Sequence, residues 1–356
     1  MSRPMRQRVV KRASTLGVNR SPARFAHSAW RRWFLDRTAD FWLGELRATW
    51  SLSEQRARVV AVHNETADAK TFEITTPRAW PGHRAGQYVP VEVEIDGVRV
   101  RRNYSISSGA SEPGRQRIAI TVKRVPDGRV SSWMHAHLLA GDVVRLGAPA
   151  GDFVAGAAPA RLLLVGAGSG ITPIAAIVRD LVARDEMRDV VVIEAARSDA
   201  DAIFAESLAQ LADATLGLRV IAHRGPLTDD IVRPHLANRE VYVCGPAPVM
   251  DLVTQLAPGA HVERFAVPRP ATTQRARVHL AIANRTVDIA GGTLLEALER
   301  AGERPVHGCR MGICNTCRCQ KTSGTVEDVL TGAISTEPQE IRLCTSIARS
   351  DLELAL

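Results

Sequence analysis

From about Arg56 onward the chain alternates apolar and polar residues with a period of two. Val89, Val91, Val93 and Ile95 alternate with Pro90, Glu92 and Glu94, and Asp96-Gly97 supplies a hairpin turn. Further short strands are expected at 71–75, 98–105, 117–124 and 143–147, divided by Gly and Pro, the spacing of a small antiparallel barrel. The pattern then changes. Arg161-Leu-Leu-Leu-Val165 reads as a short buried strand, followed by a Gly-rich turn over 166–173 and a helical segment over 174–183. The β/α alternation continues through strands at 190–194, 218–222 and 240–243, as a doubly wound sheet requires. A Pro- and Thr-rich run over 266–275 has no apolar period and reads as a linker. A strand (278–282), a hairpin and a helix (293–301) follow. Ahead of the barrel, Trp30, Trp33, Phe34, Phe41, Trp42, Leu46 and Trp50 fall at the spacing of one helical face.

These patterns divide the chain into a basic, Trp-rich helical extension (1–52), an antiparallel barrel (53–155), an α/β domain (156–268), a linker (269–275) and a C-terminal domain (276–356). A chain of 356 residues with 45% apolar composition has ample material for several cores. The net charge of +8 is uneven: the first 32 residues hold nine Lys or Arg and no Asp or Glu. Setting those nine aside from the 46 basic residues leaves 37 against 38 acidic ones, so the extension alone makes the chain basic. Such a helix suits a membrane interface, with rings at headgroup depth and Arg on anionic lipid. The alternatives are docking of the same Trp onto the barrel and, behind both, nucleic acid. No apolar run approaches the roughly 20 residues of a membrane-spanning helix, and the N-terminus lacks the apolar core of a secretory signal. Its Arg- and Ser-rich, acid-free composition resembles a mitochondrial transit peptide, whereas the Ala- and Arg-rich usage throughout fits a high-GC bacterium. The expected location is cytoplasmic, peripheral on the inner face of the membrane.

Five of the six cysteines lie between 309 and 344, which excludes a disulfide scaffold. Cys309, Cys314, Cys317 and Cys344 are spaced C-x4-C-x2-C with a distant fourth, as in plant-type ferredoxins holding a [2Fe–2S] cluster. Thiolates around two irons leave no position for substrate, which is the site of an electron carrier, and free thiolates imply a reducing compartment. A structural zinc site is the alternative, because Cys314-Asn-Thr-Cys317 is by itself a C-x-x-C pair. Cys319 is not needed as a ligand and reads as a small buried residue.

Arg102-Asn103-Tyr104-Ser105, preceded by Gly86-Gln87-Tyr88 and followed by Thr121-Val-Lys123-Arg and Gly128-Arg-Val130-Ser131, resembles the flavin segments of the ferredoxin–NADP reductase family. The resemblance implies that Arg102 holds the pyrophosphate of FAD, Tyr104 packs on the isoalloxazine, Ser105 lies near flavin N5, and backbone amides after Lys123 and around Gly128 meet the second phosphate. A guanidinium suits phosphate oxygens and a flat aromatic suits a flat ring. The loop Gly166-Ala-Gly168-Ser-Gly170-Ile-Thr172-Pro173, between strand and helix, has the context of a dinucleotide phosphate site. Cys244-Gly245-Pro246 resembles the family's C-G-P beside nicotinamide C4, where the Cys positions and is no nucleophile. Arg197-Ser198 falls where family members choose their dinucleotide, and an Arg there pairs with a 2′-phosphate, so NADPH is expected before NADH. Glu263-Arg-Phe265 matches the terminal E-x-F, with Phe265 as a candidate for flavin stacking. The last segment resembles a β-grasp ferredoxin, with one departure: Asn315 stands where Gly is common, in a tight loop, and Asn tolerates positive φ better than most residues.

The resemblance covers about residues 55 to 356, and its motifs come in the order flavin, nicotinamide, [2Fe–2S]. It implies an NAD(P)H-dependent reductase in which a hydride reaches the flavin and single electrons pass through the cluster to an acceptor enzyme. Ser105 is the expected catalytic contact, with Cys244 positioning the nicotinamide. The basic arm resembles that of actinobacterial reductases serving membrane-bound di-iron fatty-acyl desaturases. A soluble oxygenase is the second expected acceptor, and a redox sensor without turnover is a third reading.

Overall fold

The computed structural model describes residue 49 and residues 54–356, apart from 78–79, 112–115, 127, 157–160, 188, 266–272, 309 and 313–314. The arm expected over 1–52, apart from residue 49, and most of the linker therefore lie outside the described residues. Glu54–Leu356 forms one compact unit.

Its first part is a six-stranded antiparallel sheet in the order β4-β3-β6-β1-β2-β5, from β1 (Arg56–Thr66), β2 (Ala69–Thr75), β3 (Tyr88–Ile95), β4 (Val98–Ser105), β5 (Arg117–Lys123) and β6 (Val143–Leu146). The insertion of β6 between β3 and β1 makes the order a Greek key. The edges meet beyond β4, where Ile106 bridges Ile120 and closes the barrel. Val89, Val91, Val93 and Ile95 all point into its core, opposite Phe72, Ile118 and Ile120. Each such side chain contributes at most about 1.5–3 kcal/mol. Helix α1 (Arg129–His137) lays Val130 and Met134 onto the same core.

A five-stranded parallel sheet follows in the order β11-β10-β7-β8-β9, from β7 (Leu162–Ala167), β8 (Val190–Ala196), β9 (Leu218–Arg224), β10 (Glu240–Cys244) and β11 (His261–Glu263). Helices α2 (Ile171–Ala183), α3 (Ala205–Ala214), the single turn α4 (Asp229–Val232) and α5 (Ala247–Leu256) connect the strands. Leu162 and Leu164 of β7 face a core with Ile174 and Ile177 of α2, while Leu163 and Val165 face one with Met250 and Val253 of α5. Both faces are covered, which is why β7, and β8 apart from Glu194, are apolar without alternation. The strand order reverses between β7 and β10, and in open α/β sheets ligands bind outside the strand ends at such a point.

The third part is a five-stranded sheet, β13-β12-β19-β14-β17, beside a small sheet, β16-β15-β18. Its elements are β12 (Arg275–Leu280), β13 (Arg285–Ala290), α6 (Leu294–Arg300), β14 (Arg318–Ser323), β15 (Val326–Asp328), β16 (Ile334–Ser335), β17 (Gln339–Arg342), β18 (Ser346–Ala348) and β19 (Leu352–Leu354). β12 runs parallel to β19 and antiparallel to β13, a β-grasp arrangement. Helix α6 opens on a capping box: Thr293 accepts from the Glu296 amide, and the Glu296 carboxylate accepts from that of Thr293. Lys321 is fully buried, its Nζ donating to the carbonyls of Gly324 (2.8 Å), Thr336 (3.1 Å) and Glu337 (2.6 Å).

Among the described residues, no helix is long and apolar enough to cross a membrane.

Candidate functional site

β4 carries the flavin motif. Antiparallel pairing sets Arg102 opposite Val91, Tyr104 opposite Val89 and Ser105 opposite Tyr88. Ser105 is 5% exposed, and its Oγ, like Asn103 Nδ2, is buried without a hydrogen-bond partner. An unpaired buried hydroxyl costs about 1–3 kcal/mol, so a site that leaves one pointing at an absent acceptor fits a bound group. The residues fit a flavin. Burial raises the Tyr104 hydroxyl well above its ordinary value, opposed by the Arg102 charge, so the ring stays neutral. Burial, then the charge of Arg310, depresses Arg102.

The helix after Gly128 offers amides rather than side chains. Val130 is in the core, and the buried Ser131 hydroxyl accepts from the Val125 amide at 3.2 Å. The first turn of α1 has no acidic residue and no side-chain cap, which leaves its N-terminal amides for an anion. Lys123 donates to Asp68 at 2.7 Å, and this pair lies within electrostatic reach of Arg197 and Asp201 in the neighbouring domain.

Two contacts fix the dinucleotide loop against the flavin strand. Arg179 on α2 donates to the Ser107 carbonyl at 2.6 Å, two residues beyond Ser105, and Asp180 accepts from the Ser111 amide at 2.7 Å. The loop itself is close-packed below and open above. A Cβ on Gly166 would meet Ile171 Cα at 2.9 Å, and one on Gly170 would meet the Cys244 carbonyl oxygen at 2.1 Å. Gly168 has φ +55° and nothing within 4 Å of its would-be Cβ, which leaves room for a ligand. Thr172 turns its hydroxyl back to the Ser169 carbonyl (2.9 Å), and Pro173 sits in the first turn of α2, where no partner is needed for an N–H.

Cys244 ends β10 at 0% exposure, in register with Gly166 on one side and Glu263 on the other. Burial holds its thiol well above the ordinary value, with the Glu263 charge adding to the effect, so it is no nucleophile. Gly245 packs under Ala167 and Pro246 caps α5. Glu263 has a buried, unpartnered Oε2, and burial raises its pKa to about 8. The folded chain thus holds a proton on Glu263 that the unfolded chain releases near 4.5, so this carboxyl's contribution to stability falls as pH rises from about 4.5 to about 8. Glu263→Gln is expected to flatten that dependence by an amount on the order of a few kcal/mol. Melting temperatures of both proteins across this range check it, and parallel curves would contradict it.

Phe265 is half-buried against the core beneath α2. Arg197 is paired with Asp201 at 2.8 Å, to which Ser198 also donates at 2.9 Å, and Arg224 bridges Glu194 and Asp199, both at 2.6 Å. A 2′-phosphate on Arg197 would replace the Asp201 carboxylate.

Of the four cysteines expected to hold the cluster, Cys309 and Cys314 lie outside the described residues. Cys317 and Cys344 are both 3% exposed. The neighbouring Cys344 thiol, followed by backbone amides, lowers Cys317 to about 6 against the opposing effect of burial, and the Gly312 amide donates to Cys344 Sγ at 3.2 Å. Thiolate-favouring donors of this kind suit an iron–sulfur site. Arg310, Gly312 and Asn315 all take positive φ (60°, 74° and 55°), so the Asn in place of Gly adopts the left-handed turn it tolerates. Cys319 is buried among core residues, with its pKa raised by burial to about 11. Arg342 donates to the Gly312 carbonyl (2.6 Å) and pairs with Asp328 (3.2 Å), which also accepts from Thr345 (2.9 Å). Arg179, Arg310, Asp328, Arg342 and Thr345 are residues that sequence motifs did not point to. The long-range partners of Arg179, Asp328, Arg342 and Thr345 lie 14 to 72 residues away in the chain, while Arg310 bonds His307 and Glu299 nearby, and no local pattern marks any of them.

A flavin barrel, a dinucleotide sheet and a ferredoxin module in one chain define a modular electron-transfer reductase. Residues 56–154 match the oxidoreductase FAD-binding domain, 164–255 the oxidoreductase NAD-binding domain and 278–349 the 2Fe-2S iron-sulfur cluster binding domain. The NADPH oxidoreductase of Mycobacterium tuberculosis is 34% identical over 86% of this chain and 85% of its own length. The glycine betaine monooxygenase reductase subunit of Pseudomonas aeruginosa is 30% identical over 85% and 96%. Phthalate dioxygenase reductase superposes with a TM-score of 0.63 at 25% identity, covering 85% of this chain and 98% of that one. The chain belongs to the ferredoxin–NADP reductase-type FAD/[2Fe–2S] reductases, and it is an NAD(P)H-dependent flavin and iron–sulfur oxidoreductase.

Proposed function

We propose that this reductase supplies single electrons to a membrane-bound di-iron fatty-acyl desaturase and takes them from NADPH. When bound, the flavin accepts a hydride from the nicotinamide and the cluster carries electrons singly. The protein's own tasks are positional. In this reading Arg102 and the α1 amides hold the pyrophosphate, Tyr104 covers the ring, and Ser105 donates its unpaired hydroxyl at the reacting edge. The glycine loop and Thr172-Pro173 seat the dinucleotide phosphates, and Cys244-Gly245-Pro246 sets the nicotinamide. Phe265 closes the flavin pocket, and Cys309, Cys314, Cys317 and Cys344 hold the cluster. A kcat/KM higher for NADPH than for NADH is the expected sign of Arg197 acting on a 2′-phosphate.

The observation that carries the acceptor is the arm, with nine basic and no acidic residues up to Arg32 and four Trp between 30 and 50. The test is flotation with anionic vesicles, comparing the full chain with one beginning at Ser53. Only the full chain is expected to float, and salt to release it, because charge pairing with lipid is screened. If neither floats, the desaturase reading falls. A soluble oxygenase then takes its place, favoured by relatives named as the reductase subunit of glycine betaine monooxygenase and the ferredoxin reductase component of 3-ketosteroid-9-alpha-monooxygenase.

A further inference from the structure

Asp328, at the end of β15, gathers donors from its own turn and from both sides of Cys344. Its Oδ1 accepts from the amides of Leu330 (2.9 Å) and Thr331 (3.2 Å), which closes the turn. Its Oδ2 accepts from Arg342 Nη2 (3.2 Å) and from the hydroxyl of Thr345 (2.9 Å), the fully buried residue after Cys344. Arg342 ends β17 and donates through its other terminal nitrogen, Nη1, to the Gly312 carbonyl at 2.6 Å. Gly312 is thereby held on both sides, because its amide donates to Cys344 Sγ at 3.2 Å. It has little room to turn: its φ is 74°, and a Cβ there would lie 2.5 Å from Thr345 Cγ2. A guanidinium backed by one carboxylate therefore fixes where an N–H meets a cysteine sulfur. The two side chains are 34% and 21% exposed, so water screens their charges only in part.

We propose that the Arg342–Asp328 pair sets the reduction potential of the cluster. Arg342 holds the Gly312 amide on the Cys344 sulfur and places a positive charge beside it, and Asp328 offsets that charge. This rests on the reading of Cys344 as a cluster ligand and adds to it the residues that decide how readily the cluster takes an electron. Reduction adds negative charge, and both net charge and hydrogen bonds to the sulfurs shift its potential. An N–H on sulfur and a nearby cation each favour the reduced form, while a carboxylate opposes it. Arg342 acts through Gly312 and Asp328 through Arg342, so both are positioning residues.

The test is an anaerobic redox titration of the full-length protein, followed by electron paramagnetic resonance of the reduced cluster. Arg342→Met removes the charge and the bond to Gly312 together. It is expected to shift the reduction equilibrium about tenfold toward the oxidised form, the scale of one hydrogen bond to a charged group. For one electron that is about 59 mV downward. Arg342→Lys keeps the charge and is expected to stay closer to wild type. Asp328→Asn keeps an oxygen for the Leu330 and Thr331 amides and leaves Arg342 unopposed, so its potential is expected to rise. A pair that only braces the loop would move Arg342→Met and Asp328→Asn in the same direction or not at all, and either result overturns the proposal. If Arg342→Met holds no cluster, Asp328→Asn decides alone, and a potential unchanged or lowered there overturns it. Loss of the cluster from both variants makes the pair a scaffold and overturns it too. Wild-type protein with zinc and no iron, or a Cys344→Ala variant with full iron, would instead overturn the reading of Cys344.

Discussion

Cys317→Ser is expected to give a protein whose flavin is still reduced by NAD(P)H but which delivers nothing to a one-electron acceptor. Cys317 is buried beside Cys344, and the hydrogen bonds its sulfur accepts from that thiol and from backbone amides favour the thiolate. Serine offers no comparable ligand, because a hydroxyl in the same place keeps its proton. Changes outside the ligand shell commonly cost about 10–100-fold in metal affinity or activity, and loss of a ligand is expected to exceed that. The loss is confined to the exit side. Arg179 and Asp180 tie the dinucleotide domain to the barrel without involving the ferredoxin module. Iron content, visible absorbance and anaerobic flavin reduction separate the two halves. A variant with full iron and normal acceptor reduction would remove Cys317 from the ligand set.

Gly170→Ala should do the reverse. Its new Cβ would lie 2.1 Å from the Cys244 oxygen, 2.3 Å from the Cys244 carbon and 2.6 Å from the Gly245 nitrogen. All three are backbone atoms of a chain segment that pairs with β7 and β11, so no flexible side chain can yield. Overpacking usually costs about 1–3 kcal/mol, and contact this short belongs at or above the upper end. Whether the start of α2 tips outward or β10 shifts, the glycine loop and the Cys-Gly-Pro turn separate. Misplacement by about 1 Å can cost a hundredfold in rate, and that is the expected fall in NAD(P)H-driven flavin reduction. Reduction by dithionite should be unchanged. A stopped-flow trace matching wild type would show that the two turns need not touch.

The sequence patterns located the three modules because each has its own period. β3 alternates strictly and β7 is wholly apolar, matching a one-sided barrel strand and a two-sided parallel strand. Errors occur where a local rule met a distant partner. The helix expected from 174 begins at Ile171, because Pro173 is harmless in a first turn. The strand expected over 278–282 runs over Arg275–Leu280 instead, fixed by pairing of Arg275 with Ala290 and of Val278 with Leu352. It therefore takes in Arg275, the last residue of the expected linker. Helix α1 carries only a thin buried stripe, Val130, Ser131 and Met134, amid polar neighbours, and has little periodic signal. In the site, motifs found Ser105 and Cys244, but nothing near Glu263 in sequence tells that its carboxyl is buried beside Cys244.

The order of strands in the ferredoxin sheet has a consequence for biosynthesis. β19, made after every cysteine of the cluster motif, lies between β12 and β14 at the middle of its sheet. The barrel has all its strands once β6 has been translated, and the dinucleotide sheet once β11 has. The cluster module, by contrast, lacks its central strand until residues 352–354 leave the ribosome. Assembly is therefore vectorial: the barrel and the dinucleotide sheet can be complete in a nascent chain while the ferredoxin sheet still lacks β19, so a closed cluster module has to wait for that strand.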